Sequence, residues 1–255
     1  MRAPFLLDYV VPVCQAEGSA NNAKLTRLEG TAFFINRDGV FLTAGHVLRV
    51  VMADSGGLTW GLNLKGQTSN HNFFAPLDGI EFAPAPFDIG IGRVDHPSQS
   101  WFSPYSADGV RGWTDVATLG YPASALNTTP EKFNIHLRLL KGYIQREINE
   151  DELPVHRPHP HCYELSFPIP NGLSGSPLFS TEGNGRQLVG VCVKSFDVEI
   201  VIDSFTEVDD QGKRFSEKRA RVEQYGIAHS ILPLWDWRPS LLKGKSLKEA
   251  IASST

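Results

Sequence analysis

The sequence predicts an all-β protein, and three observations predict it. Glycine (23) and proline (17) make up 40 of 255 residues, about 16% against roughly 12% in average usage, which divides the chain into short segments. Arg37-Asp38-Gly39 joins two β-rich runs within LEGTAFFINRDGVFLTAGHVL (28–48), and Asp-Gly is a strong hairpin turn signal. From residue 116 onward, β-branched and aromatic runs recur between turn residues, the spacing of a second β unit.

Composition narrows the function classes. Hydrophobic residues at 41% and charged residues at 20% describe an ordinary globular chain that folds alone. With 24 Lys and Arg against 28 Asp and Glu, the net charge of -4 supplies no field for steering toward nucleic acid or anionic lipid. No apolar run reaches the roughly 18 to 20 residues of a membrane span, and Asp8 interrupts the apolar start MRAPFLLDYVVPV, which lacks a small-residue cleavage site. Cys14, Cys162 and Cys192 are too few and odd in number for a disulfide framework. The expected location is therefore a reducing one, the cytoplasm.

Residues 1–27 are expected to be an N-terminal extension and 28–100 a first β unit. Within it, the hairpin at Asp38-Gly39 ends near His46, residues 51–72 read as loop or weak strand, and GIEFAPAPFDIGIGRVD (79–95) returns to strand spacing. Pro84 and Pro86 mark an edge or loop there. Residues 101–115 carry the Pro, Ser and Gly of a connector. The second unit, 116–238, holds strand candidates VATLGYP, KFNIHLRLLKGYIQRE, CYELSF, SPLFS, QLVGVCVKSF and YGIAHSI. Asp203 to Glu223 contains eleven charged residues in twenty-one, the composition of a solvated loop or projecting hairpin. In the tail, 239–255, Ser246 precedes helix formers and predicts a short C-terminal helix.

The densest chemical signal is Asn171-Gly172-Leu173-Ser174-Gly175-Ser176-Pro177. Glycines on both sides of a serine permit a sharp turn that exposes the hydroxyl and leaves N–H groups free to face an oxyanion. A serine hydroxyl needs a base to take its proton, and of the eight histidines His46 stands out at a predicted strand end among small residues. A carboxylate must hold the imidazole tautomer. Asp88, opening the strand after Phe87, is the candidate, since Asp38 belongs to the hairpin turn and Asp95 to a strand exit. Asp78 is the fallback.

These three motifs, over roughly residues 28–235, resemble the chymotrypsin-like (trypsin-like) serine peptidases in their compact bacterial-type branch. T-A-G-H-V looks like that family's T-A-x-H block, D-I-G-I-G-R-V its D-I-x-L-x-x-V strand and G-L-S-G-S-P its G-x-S-G-x-P loop, in the family's order His, Asp, Ser. V-A-T-L-G-Y-P with K-G-Y-I resembles the opening of the family's second barrel, and Q-L-V-G-V-C-V the strand that lines the substrate. The resemblance implies two six-stranded antiparallel β-barrels with the cleft between them, and no metal or cofactor. It assigns Ser174 as nucleophile, His46 as general base and acid, Asp88 as its orienting carboxylate, and the N–H groups of Gly172 and Ser174 as the oxyanion hole. The implied partner is a protein or peptide substrate.

The same resemblance places the substrate pocket at Pro168, Asn171, Val193, Lys194 and Ser195. No Asp stands at its base, so no preference for Arg or Lys before the cut is expected. Leu173 departs from the family, many members of which carry Asp there. The oxyanion loop should then be ordered by apolar packing or by a partner, because a buried ammonium would lack its counter-charge. The alternative from another class is a protease-fold binding or regulatory module that keeps the trio but is inactive or latent until a regulatory protein partner binds, or that recruits partners by its polar insertion. His156, His159, His161 and Cys162 offer zinc-type ligands, but Pro158 and Pro160 extend the chain and no second ligand pair follows, so a solvated loop is expected. Cys14 and Cys192 read as small buried hydrophobes.

Overall fold

Six antiparallel strands close the first barrel in the computed structural model, which describes residues 9–18, 23–54, 59–65, 72–98, 102–105, 110–129, 132–150, 152, 158–182 and 187–253. They are β1 (Val10–Glu17), β2 (Lys24–Phe34), β3 (Val40–Ala44), β4 (Thr59–Lys65), β5 (Asn72–Phe82) and β6 (Ile89–Val94), in the order β1-β2-β3-β6-β5-β4, with helix α1 (Gly45–Ala53) leaving β3. The Asp38-Gly39 turn joins β2 and β3, which pair at Ala32↔Thr43. Gly39 has φ +75°, the left-handed conformation such a turn requires.

After β7 (Ser103–Pro104), the second unit contains β8 (Asp115–Gly120), a small hairpin of β9 (Leu126–Thr129) and β10 (Lys132–Ile135), then β11 (Arg138–Ile148), β12 (Cys162–Leu165), β13 (Pro177–Ser180), β14 (Gln187–Val208) and β15 (Arg214–Ser230). Its sheet runs β13-β8-β11-β12-β15-β14, and a β13–β14 pairing closes the ring, with β7 added parallel to the start of β14. The all-β, two-barrel expectation holds. Helix α2 (Leu247–Ala252) also forms where expected: the Ser246 hydroxyl accepts from Glu249 N–H, and the Glu249 carboxylate accepts from Ser246 N–H, a capping box.

Three segments differ from their sequence reading. The barrel starts at Val10, not residue 28: β1 pairs with both β2 and β4. Val10, Val11, Val13, Cys14 and Ala16 are all buried, so the strand is covered on both faces and shows no alternation that would betray it. In the segment read as loop or weak strand, Thr59–Lys65 is the strand β4, whereas 51–53 are the unexpected end of helix α1. The 101–115 connector is partly packed, with Phe102 fully buried against Phe33 at 5.3 Å between ring centroids.

The barrels share one apolar cluster, in which Val10, Phe33 and Ile91 of the first meet Leu119, Phe179 and Val191 of the second, sealed by Leu247 and Ile251 of α2. Burial of such side chains contributes about 1.5–3 kcal/mol each, which fixes the barrels against one another and thereby the cleft between them. Outside this body, β14 and β15 continue as a two-stranded ribbon from Ser195↔Gly226 to Val208↔Arg214. The charged segment 203–223 is therefore the projecting hairpin of the two forms expected.

Candidate active site

His46 and Asp88 come together because β3 and β6 are neighbours. The register sets Ala44 opposite Ile89, so the residue two past one strand meets the residue just before the other. His46 lies in the first turn of α1, two residues beyond the end of β3, and not at the strand end expected for it. Gly45 N–H donates to Asp88 O at 2.9 Å, and a Cβ on Gly45 would sit 2.8 Å from Asp88 Oδ1, which explains the glycine before the histidine. His46 Nδ1 stands 2.6 Å from Asp88 Oδ2. With a carboxylate as acceptor, Nδ1 carries the proton and Nε2 is left as the base. Arg49, one turn along α1, donates to Asp88 Oδ1. Burial pushes the Asp88 carboxyl up, but the His46 hydrogen bond and the His46 and Arg49 charges outweigh it and hold the group below its ordinary value. Asp78 is engaged elsewhere, in an ion pair with Arg93.

His229 is a site residue that sequence reading missed. It lies on β15, is 5% exposed, and its Nδ1 accepts from Asp88 N–H at 3.1 Å. That bond requires an unprotonated Nδ1, so a neutral ring braces the backbone of Asp88. Burial pulls this imidazole from 6.5 down to about 4, against the partial support of the Asp88 charge. Between those two values the unfolded chain holds a proton that the folded chain does not, so stability rises with pH there. The contribution is complete above 6.5 and is lost as pH falls through about 4, an effect of about 3 kcal/mol. Urea unfolding between pH 4 and 7 should show this loss in the wild type and not in His229→Gln; parallel pH slopes would refute it.

The serine loop crosses from the second barrel to the first. Thr31 N–H donates to Ser174 O at 2.9 Å, and a Cβ on Gly175 would meet Thr43 Oγ1 at 2.1 Å and Ala44 N at 2.8 Å. The serine loop is thus seated on the end of β3, next to the turn that carries His46. The Ser174 hydroxyl donates to Val193 O at 3.0 Å. Gly172 and Gly175 have φ of +90° and +89°, conformations that disfavour any other residue. Asn171 O accepts from Ala123 N–H at 2.7 Å, and peptide planarity turns the Gly172 N–H to the opposite side. Among the described residues, neither Gly172 N–H nor Ser174 N–H has a protein acceptor. Leu173 between them is fully buried, packed with Val116, Leu178 and Val189 in the second-barrel core.

Thr31 is the second residue missed. Its hydroxyl donates to Gly172 O at 2.7 Å and accepts from Tyr121 N–H at 3.0 Å, while Thr31 O accepts from Thr43 Oγ1 at 2.7 Å. Thr31→Val keeps the shape and removes both hydroxyl bonds. It should cost about 1–3 kcal/mol of stability and lower kcat by about 10- to 100-fold through a loosened oxyanion loop. Unfolding curves and turnover on one peptide check both; undiminished kcat would show that Thr31 does not hold the loop.

Of the pocket residues, Pro168, Asn171 and Lys194 are exposed and Ser195 is half-buried. Val193 is buried in the cluster that joins β12 and β15 to the first barrel. Ile169, neighbouring Pro168, is 3% exposed and its N–H donates to Ser195 Oγ at 2.6 Å, drawing the two walls together. In the histidine-rich segment, the Cys162 thiol donates to Pro160 O at 2.9 Å and burial pushes it up to about 12. His159 Nδ1 contacts Pro160 O at 2.9 Å and His161 faces Glu147 at 3.4 Å; His156 lies outside the described residues. Among the described residues no cluster of His, Cys, Asp and Glu is arranged to hold a metal.

The sequence pattern of the trypsin-like peptidase domain matches residues 30–191. The chain belongs to the trypsin-like peptidase family. Solved structures of this fold include the Rv3671c protease from M. tuberculosis in its active form, at 17% identity and TM-score 0.50, covering 88% of this chain and 76% of that one. Deg5 is 16% identical with TM-score 0.53, over 74% of this chain and 80% of its own. The HtrA-type protease AlgW with a tripeptide is 16% identical with TM-score 0.51, over 89% of this chain and 57% of its own. No curated protein matches the sequence significantly. In this trypsin-like peptidase the matched region begins at Gly30 and so includes Thr31, His46, Asp88 and Ser174, whereas His229 lies beyond it.

Proposed function

We propose that this trypsin-like peptidase is a serine endopeptidase acting through Ser174, His46 and Asp88. The observation that carries the reading is the His46–Asp88 contact of 2.6 Å beside a serine loop whose Gly172 and Ser174 N–H groups lack protein acceptors among the described residues. The Ser174 hydroxyl leaves Val193 O by rotation about its side-chain bond and gives its proton to His46 Nε2 as Oγ bonds the scissile carbonyl carbon. The oxyanion is held by the two amides, each worth about 2.7–4 kcal/mol in comparable sites. His46 then passes the proton to the leaving amine as the C–N bond breaks, and water repeats the sequence on the acyl-enzyme. Asp88 stays ionised throughout. A peptide bound to AlgW supports a protein or peptide substrate here.

A fluorophosphonate probe should label the wild type and not Ser174→Ala, together with cleavage of a peptide library. Labelling without peptide turnover would favour the latent binding module, and absence of labelling would overturn the assignment. The same library tests specificity. With Ile169 filling the space beside Ser195 and no carboxylate among the pocket residues, residues before the cut should be apolar or small; a majority of Arg or Lys there would contradict this. Cys14, Cys162 and Cys192 are buried and unbridged, which supports placing the enzyme in the reducing cytoplasm.

A further inference from the structure

The ribbon of β14 and β15 projects with two open edges. At residues 226–229 β15 lies between β14 and β12, but along residues 214–225 no described strand takes the place of β12. An isolated two-stranded ribbon is marginally stable in water, and this one extends about 40 Å. Of the eleven large apolar side chains exposed among the described residues, eight lie on it. The two edges differ in charge. On β14 the charged residues within 195–208 are Asp197, Glu199, Asp203 and Glu207, all acidic, so two copies of that edge repel one another. On β15 the signs are mixed. The ribbon's register irregularities fall on β14, which leaves β15 without a bulge to turn a partner strand away.

The order of charges along β15 is its own complement. Side chains alternate between faces, so Lys213, Phe215, Glu217, Arg219, Arg221 and Glu223 share one face. From residue 214 to 222 every side chain is exposed. Among the described residues no ion pair crosses the ribbon; Arg221 and Glu223, 3.3 Å apart, pair within β15 itself. When a second copy is laid antiparallel with Lys218 opposite its counterpart at a two-fold axis, Glu217 meets Arg219, Lys213 meets Glu223 and Phe215 meets Arg221, each twice. On the other face Ser216 meets Ala220 and Arg214 meets Val222. One like-charge contact, at Lys218, is thus set against four opposite-charge pairs and two arginine–aromatic ones. Neighbouring registers are poorer. An axis at Ala220 opposes Arg219 with Arg221 and Glu217 with Glu223, one at Ser216 opposes Arg214 with Lys218, and one at Arg219 keeps only the Glu217–Arg221 attraction. The favoured register ends at Glu223, short of Gly226, where β12 occupies the edge.

We propose that β15 pairs antiparallel with β15 of a second copy of this chain about Lys218, joining two ribbons into one four-stranded sheet and two chains into a two-fold dimer. Such an interface is isologous, the commonest kind in soluble oligomers. Two further strands supply the stability that a lone hairpin lacks, and the acidic β14 edges on the outside of the sheet keep a third copy from adding. The pairing does not depend on the peptidase chemistry.

Sedimentation equilibrium of the full chain from about 1 to 100 μM should show monomer and dimer in exchange; monomer throughout would overturn the proposal. Glu217→Lys turns two attractions into two repulsions and should raise the dissociation constant about tenfold or more. In its own ribbon Glu217 stands opposite Phe205, so the fold is spared. An unchanged constant, or a larger assembly indifferent to this substitution, would place the contact elsewhere and overturn the proposal. Single cysteines read the register. Lys218→Cys sets two thiols directly opposite, with Cα atoms about 4.5–5.5 Å apart, within reach of a disulfide, and glutathione disulfide should convert it to a covalent dimer. Ser216→Cys and Ala220→Cys each hold their own thiols about 13 Å apart along the strand and should stay unlinked alone, whereas their equimolar mixture should cross-link. Cys14, Cys162 and Cys192 are buried and do not compete. Equal cross-linking of the three variants, each alone, would refute the pairing about Lys218.

Discussion

Ser174→Ala is expected to lower peptide turnover by about a millionfold, the loss seen when the nucleophile of a serine–histidine–carboxylate unit is removed, while the protein should unfold at nearly the same denaturant concentration. The two outcomes separate because the Ser174 side chain is only half-buried and, among the described residues, makes one side-chain hydrogen bond, to Val193 O. The bonds that seat the loop belong to the backbone: Thr31 N–H to Ser174 O and Gly175 N–H to Cys192 O, at 2.9 and 2.8 Å. Alanine keeps both. His46→Ala should match the loss in rate, since the base and the nucleophile act as one unit. Turnover by Ser174→Ala within a hundredfold of wild type, in protein free of contaminating peptidase, would remove Ser174 from the mechanism.

Asp88→Asn should slow turnover by about ten-thousandfold with the fold intact, and the structure says which way the amide turns. Arg49 can only donate, so it captures the asparagine oxygen in the place of Oδ1. The amide nitrogen is left facing His46 Nδ1, where it must donate, and the imidazole proton is driven to Nε2. A base with its lone pair on the wrong nitrogen cannot accept from Ser174. It follows that Arg49→Ala in the Asp88→Asn background restores part of the activity, because the amide is then free to turn its oxygen toward His46. Initial rates of the two single variants and the double variant decide this; a double variant as slow as or slower than Asp88→Asn would show that Arg49 does not set the tautomer.

What sequence alone exposed were local signals. The Asp38-Gly39 turn, the capping box at Ser246 and the Gly-flanked Ser174 are each decided within a few residues, by φ preferences or by a side chain bonding its own backbone. The three motifs in order therefore pointed to the family. Signals of long range stayed hidden. Strand β1 is buried on both faces, so the alternation that reveals a half-buried strand is absent. Thr31 is an unremarked threonine in a strand until the two barrels meet and its hydroxyl reaches Gly172, 141 residues away.

His229 differs in the same way: a histidine in a β run is indistinguishable from a core residue until β15 is laid against Asp88. The sequence by itself determined the all-β architecture and the helical tail and nominated His46, Asp88 and Ser174, because composition, turn chemistry and short motifs are properties of neighbouring residues. Tertiary structure alone decided how those groups are held. Arg49 at Asp88, His229 under its backbone and Thr31 behind the serine loop all arise from pairings between distant strands. Their register depends on how two separately closed sheets share one apolar core.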